Sequence, residues 1–580
     1  MREKYFSTNS EVKIQAIKIA FSLFLGGLFF VANGQNLQEI GKIKAFKLHG
    51  NIGASATYYT SNEAVSTRPP WSWNVYGNFS PEVYGIALPA SFVINQFGNS
   101  YTLPFAQFGI SPTYKWAKLH IGYRSIRMSP LVFDGQSFKG AGIELNPGII
   151  RFAAFYGRLN KKIDEDTIAG RFTQPQFSRI GYGAKIGVGN RRHYFDLIYF
   201  YAKDDTTSAS VINKTKIQSQ ENTVLGASFK TTIIKKFILE GDLAASGITD
   251  DLSSTRVDSI KGGLFENILF RLMPFNTSTS VHFGGQASLS FALKNYNTSL
   301  GYRRVEPGFK SLGTPYMQND VELINWANNL NLIKGKVNIS ASASNQHNNL
   351  NKNLTSQLNT FVSSLNVNAT PDPKVNLNFD YSGYLINQKD GTMKLGDSIR
   401  LNQQVHQFGL SPSYSIFKST LTHTISGNIS YMMLNDKNPA TAPTTSSHNL
   451  SSFVDYTIGL AKSGISLSVG GSYNNYVQDT NRYSTYGVNV GSSGMFLKKQ
   501  NLNVQLTAGY MINQSSFGNT ESNLTVSGSV GYRYNKHSIT LNANYIYTPY
   551  NPINEVIEKA MSKVVASQNL MVSLAYNYSF

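Results

Sequence analysis

The chain has 580 residues with 48 Gly, 33 Tyr and 35 Phe, only 15% of it is charged, and its formal net charge is +19. That mixture fits no ordinary soluble domain and points to many short, aromatic, glycine-punctuated strands. The basic excess would suit nucleic acid, but Lys and Arg are scattered over turns and strands with no RNA- or DNA-binding motif, which sets that class aside. The absence of Cys excludes a lipoprotein anchor, thiol catalysis and a disulfide scaffold.

At the N-terminus, Lys13 and Lys18 precede the apolar stretch IAFSLFLGGLFFVA, and Ala32 and Gly34 stand at minus three and minus one from a cut before Gln35. This predicts a signal peptide over 1–34, since an apolar run of about 14 residues is short for a helical span. A short periplasmic segment, 35–43, then leads into the rest of the chain, 44–580. Beyond residue 32 no run of 18 apolar residues exists, so any membrane crossing must be made by strands. Lipid offers no hydrogen-bond partner to the backbone, so such strands must close into a barrel.

Alternation of side chains recurs along the chain and is clearest in its second half. Val375, Leu377, Phe379 and Tyr381 share one face, against Asn376, Asn378, Asp380 and Ser382. Leu502, Val504, Leu506 and Ala508 likewise oppose Asn501, Asn503, Gln505 and Thr507. Short turns read near Tyr84-Gly85, Trp116-Ala117, Asn146-Pro147-Gly148, Gly189-Asn190-Arg191, Lys235-Lys236 and Lys294-Asn295. They continue near Lys334-Gly335, Pro371-Asp372-Pro373, Lys418-Ser419, Lys462-Ser463, Lys498-Lys499 and Asn535-Lys536. Longer polar stretches lie between them, including 127–140, 306–320 and 478–482. Short periplasmic turns alternating with longer outer loops mark an outer-membrane barrel. The expectation is an all-β, large transmembrane antiparallel up-and-down β-barrel of about 26 strands (24 to 28) in the outer membrane, both termini periplasmic.

Two connections stand out. The stretch 249–281 is the longest and has the length to fold inward. In the last outer loop, Asn551 as N-cap, Pro552, and Ile553, Val556, Ile557, Ala560 and Val564 at helical spacing predict a short helix covering the mouth. The closing strand sets Leu570, Val572, Leu574, Tyr576, Tyr578 and Phe580 on one face. Its aromatic ending, Tyr576, Tyr578 and Phe580, resembles the insertion signal read by the outer-membrane assembly machinery.

Pleat parity sends a subset of charges inward, where Arg or Lys escapes the roughly 2–4 kcal/mol cost of facing mid-depth lipid. The lumen-lining candidates are Lys118, Arg124, Arg151, Arg179, Lys185 and Arg303, with Glu240, Asp242 and Asp380 elsewhere on the wall. They fit either an ordinary wet wall or a basic stripe that concentrates anionic solutes. Acidic clusters at Asp164-Glu165-Asp166, Asp204-Asp205 and Asp250-Asp251 fall in the long loops, as solvated charge or as bridges through divalent cations among lipopolysaccharide. No cofactor or metal spacing appears, nor HExxH or GxSxG. His120 and His282 read as hydrogen-bonding lumen residues, although a barrel hydrolase can assemble Ser, His and a carboxylate from adjacent strands. Between Gln35 and the first strand only about nine residues are available, too few for a globular plug of the kind that fills the largest barrels.

The blocks QFGISPTYKWAKLHIGYRSIRMSPLVFDGQSFKGAGIELNPGIIRFAAFYGRL, GYRRVEPGFKSLGTPYMQNDVE and HTISGNISYMMLNDKN resemble poorly characterised outer-membrane β-barrel proteins of the Bacteroidota. The resemblance covers most of residues 45–435 and brings no activity with it. Asp166-Thr167-Ile168, Asp258-Ser259-Ile260 and Asp397-Ser398-Ile399 are also similar to that phylum's short glycosylation motif, marking Thr167, Ser259 and Ser398. The resulting expectation is a porin-like channel that is not an enzyme and passes or houses solutes or a polypeptide. The alternative is a structural or assembly barrel that anchors a surface protein or joins a secretion complex. Expected partners are outer-membrane lipid and lipopolysaccharide, the assembly machinery, and a surface or secretion protein.

Overall fold

The computed structural model describes residues 46–62, 68–83, 86–96, 107–165, 175–209, 217–497, 499–516, 520–549 and 566–580. The signal segment and the helix expected from Asn551 lie outside these residues. The strands are β1 (Phe46–Ser61), β2 (Trp71–Val83), β3 (Ile86–Ala87 continued as Ala90–Asn95) and β4 (Gln107–Ile110 continued as Thr113–Tyr114). They continue as β5 (Ala117–Arg124), β6 (Phe138–Leu145), β7 (Ile150–Asn160), β8 (Ser178–Gly189), β9 (Tyr194–Asp205), β10 (Glu221–Ile233) and β11 (Phe237–Thr249). Next come β12 (Thr279–Ala292), β13 (Tyr296–Val305), β14 (Val321–Leu332), β15 (Val337–His347), β16 (Ser356–Asp372), β17 (Val375–Asp390) and β18 (Asn402–Phe417). The last are β19 (Leu421–Asp436), β20 (Ser447–Leu460), β21 (Ile465–Gln478), β22 (Asn481–Phe496), β23 (Leu502–Ser515), β24 (Thr520–Tyr534), β25 (His537–Thr548) and β26 (Ser567–Ser579). Pro89 and Pro112, which carry no N–H for the ladder, interrupt β3 and β4.

Each strand pairs antiparallel with its neighbour, and β26 pairs with β1 from Asn51–Ser579 to Ser61–Asn569, so the sheet is a closed barrel of 26 strands. The rhythm of connections read from the sequence therefore gives the right number of strands. One connection at the long-loop end is shorter than expected: only Asp479 and Thr480 separate β21 from β22.

The outward face is apolar. On β9, Phe195 and Leu197 are exposed outward, with Asp196 and Ile198 buried on the inner side. On β22 and β23 the exposed outward residues include Val488, Val490 and Leu506. Near the turn end a row of rings crosses the closure: Phe580 lies 5.6 Å from Phe79, Phe79 5.8 Å from Phe92, and Phe92 6.2 Å from Phe108. Tyr578 extends the row 5.8 Å from Phe580, and Tyr576 lies 6.0 Å from His537. Such a girdle suits the boundary between hydrocarbon and headgroups. Gly50 lets the row close, because a Cβ there would strike the Asn78 carbonyl and the Phe580 ring.

The longest connection does not fold inward. Its helix, α1 (Leu264–Leu272), lies against the outside of the barrel, with Leu269, Met273 and Phe275 packed on the outward residues Leu225 and Val281. Two other connections enter the lumen instead, 125–137 and 306–320, and they build the main hydrophobic core there.

Candidate functional site: the lumen wall and its inward loops

The loop 125–137 follows β5 and carries Ile126, Met128, Leu131, Val132 and Phe133, all buried. They meet an inner wall that is itself apolar: Phe138 on β6, Phe155 on β7 and Phe200 on β9. The Phe133 ring lies 4.3 Å from Phe155 and 5.5 Å from Phe200, contacts of the kind worth about 0.5–1.5 kcal/mol beyond area burial. Val132 sits where β10 has Gly226, since a Cβ there would come within 2.4 Å of the Val132 side chain.

The loop 306–320 closes over the first. The Ser311 hydroxyl donates to the Val132 carbonyl at 2.6 Å, and the Asp134 amide donates to the Gly313 carbonyl at 3.1 Å. Asn222 is fully buried beneath it and fully engaged. Its amide donates to Ser246 Oγ at 2.9 Å and the Gly247 carbonyl at 2.8 Å, while its Oδ1 accepts the Leu312 amide at 3.0 Å. An unpartnered amide at such depth would cost about 1–3 kcal/mol. The two loops thus form one packed buttress on the inner wall of β6–β14.

On the turn side of the buttress lies a cavity of about 560 Å³. It brings together five of the nine predicted lumen charges: Arg151, Lys185, Glu240, Asp242 and Arg303. Most are neutralised. Asp196, with 2% of its side chain exposed, accepts Arg151 through two prongs at 2.7 and 2.9 Å and lies 3.9 Å from Lys185. The Arg151 guanidinium also stacks 4.2 Å from the Tyr194 ring centre. Glu240 accepts Lys230 at 2.9 Å. Asp242 accepts Ser129 of the inward loop at 2.9 Å, Gln286 at 3.0 Å, and Ser228. Arg303 differs: its Nε is buried without a partner, and its side chain has no ion pair among the described residues.

The other four predicted charges lie apart. Lys118 sits 3.5 Å from Glu144, and Arg179 grips Asp204 at 2.7 and 3.0 Å. Arg124 reaches over Gly109, donating to its carbonyl and, at 2.8 Å, to Ser91 Oγ, and so ties β5 to β4 and β3. Asp380 lies on β17, outside the cavity, against Gly409 of β18. In place of a free basic stripe most of the predicted cations are ion-paired; among the described residues Arg124 and Arg303 have no carboxylate partner, and Arg124 is held instead by Ser91 and the Gly109 carbonyl. The acidic partners of the paired cations, Asp196, Asp204 and Glu144, were open to the same parity rule, because Asp196 alternates with Phe195 and Leu197. The loop's own signal, the apolar run Pro130-Leu131-Val132-Phe133, sits inside a connection read as polar.

Among the described residues, Ser111, His120 and Glu144 form a constellation that resembles a nucleophile site. Ser111 Oγ is 3.1 Å from His120 Nδ1, and His120 Nε2 is 2.8 Å from Glu144 Oε1. Ser111 is 6% exposed and His120 2%, and the three groups clasp β4, β5 and β6. His282 lies against Gly308 of the second inward loop.

The acidic loop clusters are engaged by the protein. Asp250 accepts Gln220 at 2.9 Å and Lys310 at 3.3 Å. The hydroxyl and amide of Ser253 bind Asp251 and hold its carboxyl below the usual range. Among the described residues no three metal-binding side chains converge. Ser259 is exposed beside α1, Ser398 falls in the short helical turn Asp397–Ile399, and Thr167 lies outside the described residues.

No family model matches the chain, and no curated protein does. Among solved structures it is similar to the translocation pore of the P pilus usher PapC, at 10% identity over 92% of this chain and 99% of that one, with a TM-score of 0.35. It is also similar to OccAB2 of Acinetobacter baumannii, at 11% identity over 63% and 92% of the two chains, TM-score 0.30. OpdK of Pseudomonas aeruginosa, solved with vanillate, gives 10% identity over 63% and 93%, TM-score 0.30. Likenesses this slight carry no argument about function, and the barrel rests on its own strand pairing.

Proposed function

We propose that the chain is an outer-membrane channel of the Bacteroidota type, passing polar solutes through a lumen narrowed on one side by the buttress of loops 125–137 and 306–320. One observation carries the reading. The inward residues Asn503 and Gln505 on β23 are exposed, so across from the buttress the inner wall is bare of protein among the described residues. Polar side chains lining a wide barrel hold water rather than a packed core. Arg303, the cation of the cavity that has no carboxylate partner among the described residues, adds a mild preference for anions.

Planar-bilayer recording tests this. The purified chain should conduct, removal of residues 128–133 should raise the conductance, and Arg303→Gln should lower anion over cation selectivity. A barrel that stays silent until a co-purified protein is removed would instead be the anchoring or assembly scaffold. The reading also sets the turn end in the periplasm and the long loops at the cell surface. A Cys introduced at Glu165 should then label in intact cells, while one at Lys462 should not.

A further inference from the structure

The outer wall carries a recess of about 690 Å³ beneath α1. Its floor is low because Ala184, Ala227 and Ala245 stand where neighbouring strands carry large side chains. Leu197 and Leu243 flank it and remain 52% and 58% exposed, so it opens outward rather than into the lumen. Phe265 of α1 roofs it, edge-on to Phe283 of β12 at 5.7 Å.

The helix explains why such a recess stays apolar. One side of α1 docks on the wall through Leu269 and Met273, against the bare backbone of Gly247. The same apolar face continues past that docked edge through Leu264, Phe265, Ile268 and Leu272, all exposed, while Glu266, Asn267 and Arg271 lie on the opposite side. An apolar face this wide is stable only when its uncovered part is also covered. The recess continues the lipid-facing belt of β8–β12, so hydrocarbon is the cover at hand. Cations stand at the helix: Lys261 precedes it, and Arg271 in its last turn is exposed.

We propose that this recess binds one acyl chain of a lipopolysaccharide molecule, with Lys261 and Arg271 meeting its phosphates. The choice of lipid rests on the orientation given above, which puts α1 in the outer leaflet, and Cys labelling at Glu165 tests that separately. The binding test is recovery of lipopolysaccharide with the full chain purified from lipopolysaccharide-containing outer membranes. The wild-type barrel should retain about one molecule through detergent exchange. Ala245→Trp, which fills the recess, and Phe265→Ala, which removes only the roof and leaves the strands intact, should each cut retention several-fold. Val488→Trp, on the exposed outer face of β22, should leave it unchanged. Equal retention in all four proteins would overturn the site. So would retention of phospholipid in its place, or a protein captured by the wild type and lost from Phe265→Ala.

Discussion

The two halves of the barrel share an outer face and differ on the inner one. β9 presents Phe195 and Leu197 outward, and β23 presents Leu502, Val504 and Leu506. Inward, β9 carries Asp196, Ile198, Phe200, Ala202 and Asp204, while β23 carries Asn503, Gln505 and Thr507. Lipid dictates the first face for every strand. The second is dictated by whatever fills the lumen beside it, which is packed loop at β9 and, among the described residues, no protein at β23. One barrel therefore holds a wall built like the core of a soluble domain and a wall built like a pore.

That contrast can be broken at measurable points. Phe133→Ala removes the ring against which Phe155 and Phe200 pack, and should weaken the buttress by roughly 3–5 kcal/mol. Rapid proteolysis within 125–137 in an otherwise closed barrel would report it, and unchanged resistance would show that the loop is held by other means. Asp196→Asn leaves Arg151 facing Lys185 in the cavity and should cost about 3 kcal/mol, because a nearly buried pair loses one partner. Lower thermal stability together with a stronger anion preference is the expected signature. Asn222→Ala strands the Leu312 amide and should cost about 1–3 kcal/mol, read as faster hydrogen exchange in 306–320. Gln505→Ala on the wet wall should lie within about 0.5 kcal/mol of the parent in a denaturant titration. A large loss there would mean that something packs on that side too.

The same contrast explains what the sequence disclosed. Alternation was clean in β17 and β23, where one face is apolar and the other polar with no loop packed on it, and the turn rhythm was legible throughout. In the stretch YFDLIYFYA both faces are apolar, so periodicity says that a strand is buried on two sides without saying by what. Which loop enters the lumen depends on fit to residues far along the chain. Val132 needs the gap at Gly226, and no local pattern records that complementarity. Loop length misleads as well: the longest connection goes outside because α1 carries Leu269 and Met273 to an outer wall left open by Gly247. The lumen charges were legible singly. Their pairing was not, since Arg151 and Asp196 meet across 45 residues of sequence.

The bond from Ser311 to Val132 spans 179 residues. The first inward loop and Phe200 therefore gain their cover only once segments that far apart in the chain have met. A partly assembled sheet in which 306–320 is not yet seated exposes that apolar surface and is prone to self-association. The half of this barrel that is best packed when finished is thus the half most dependent on escort during assembly.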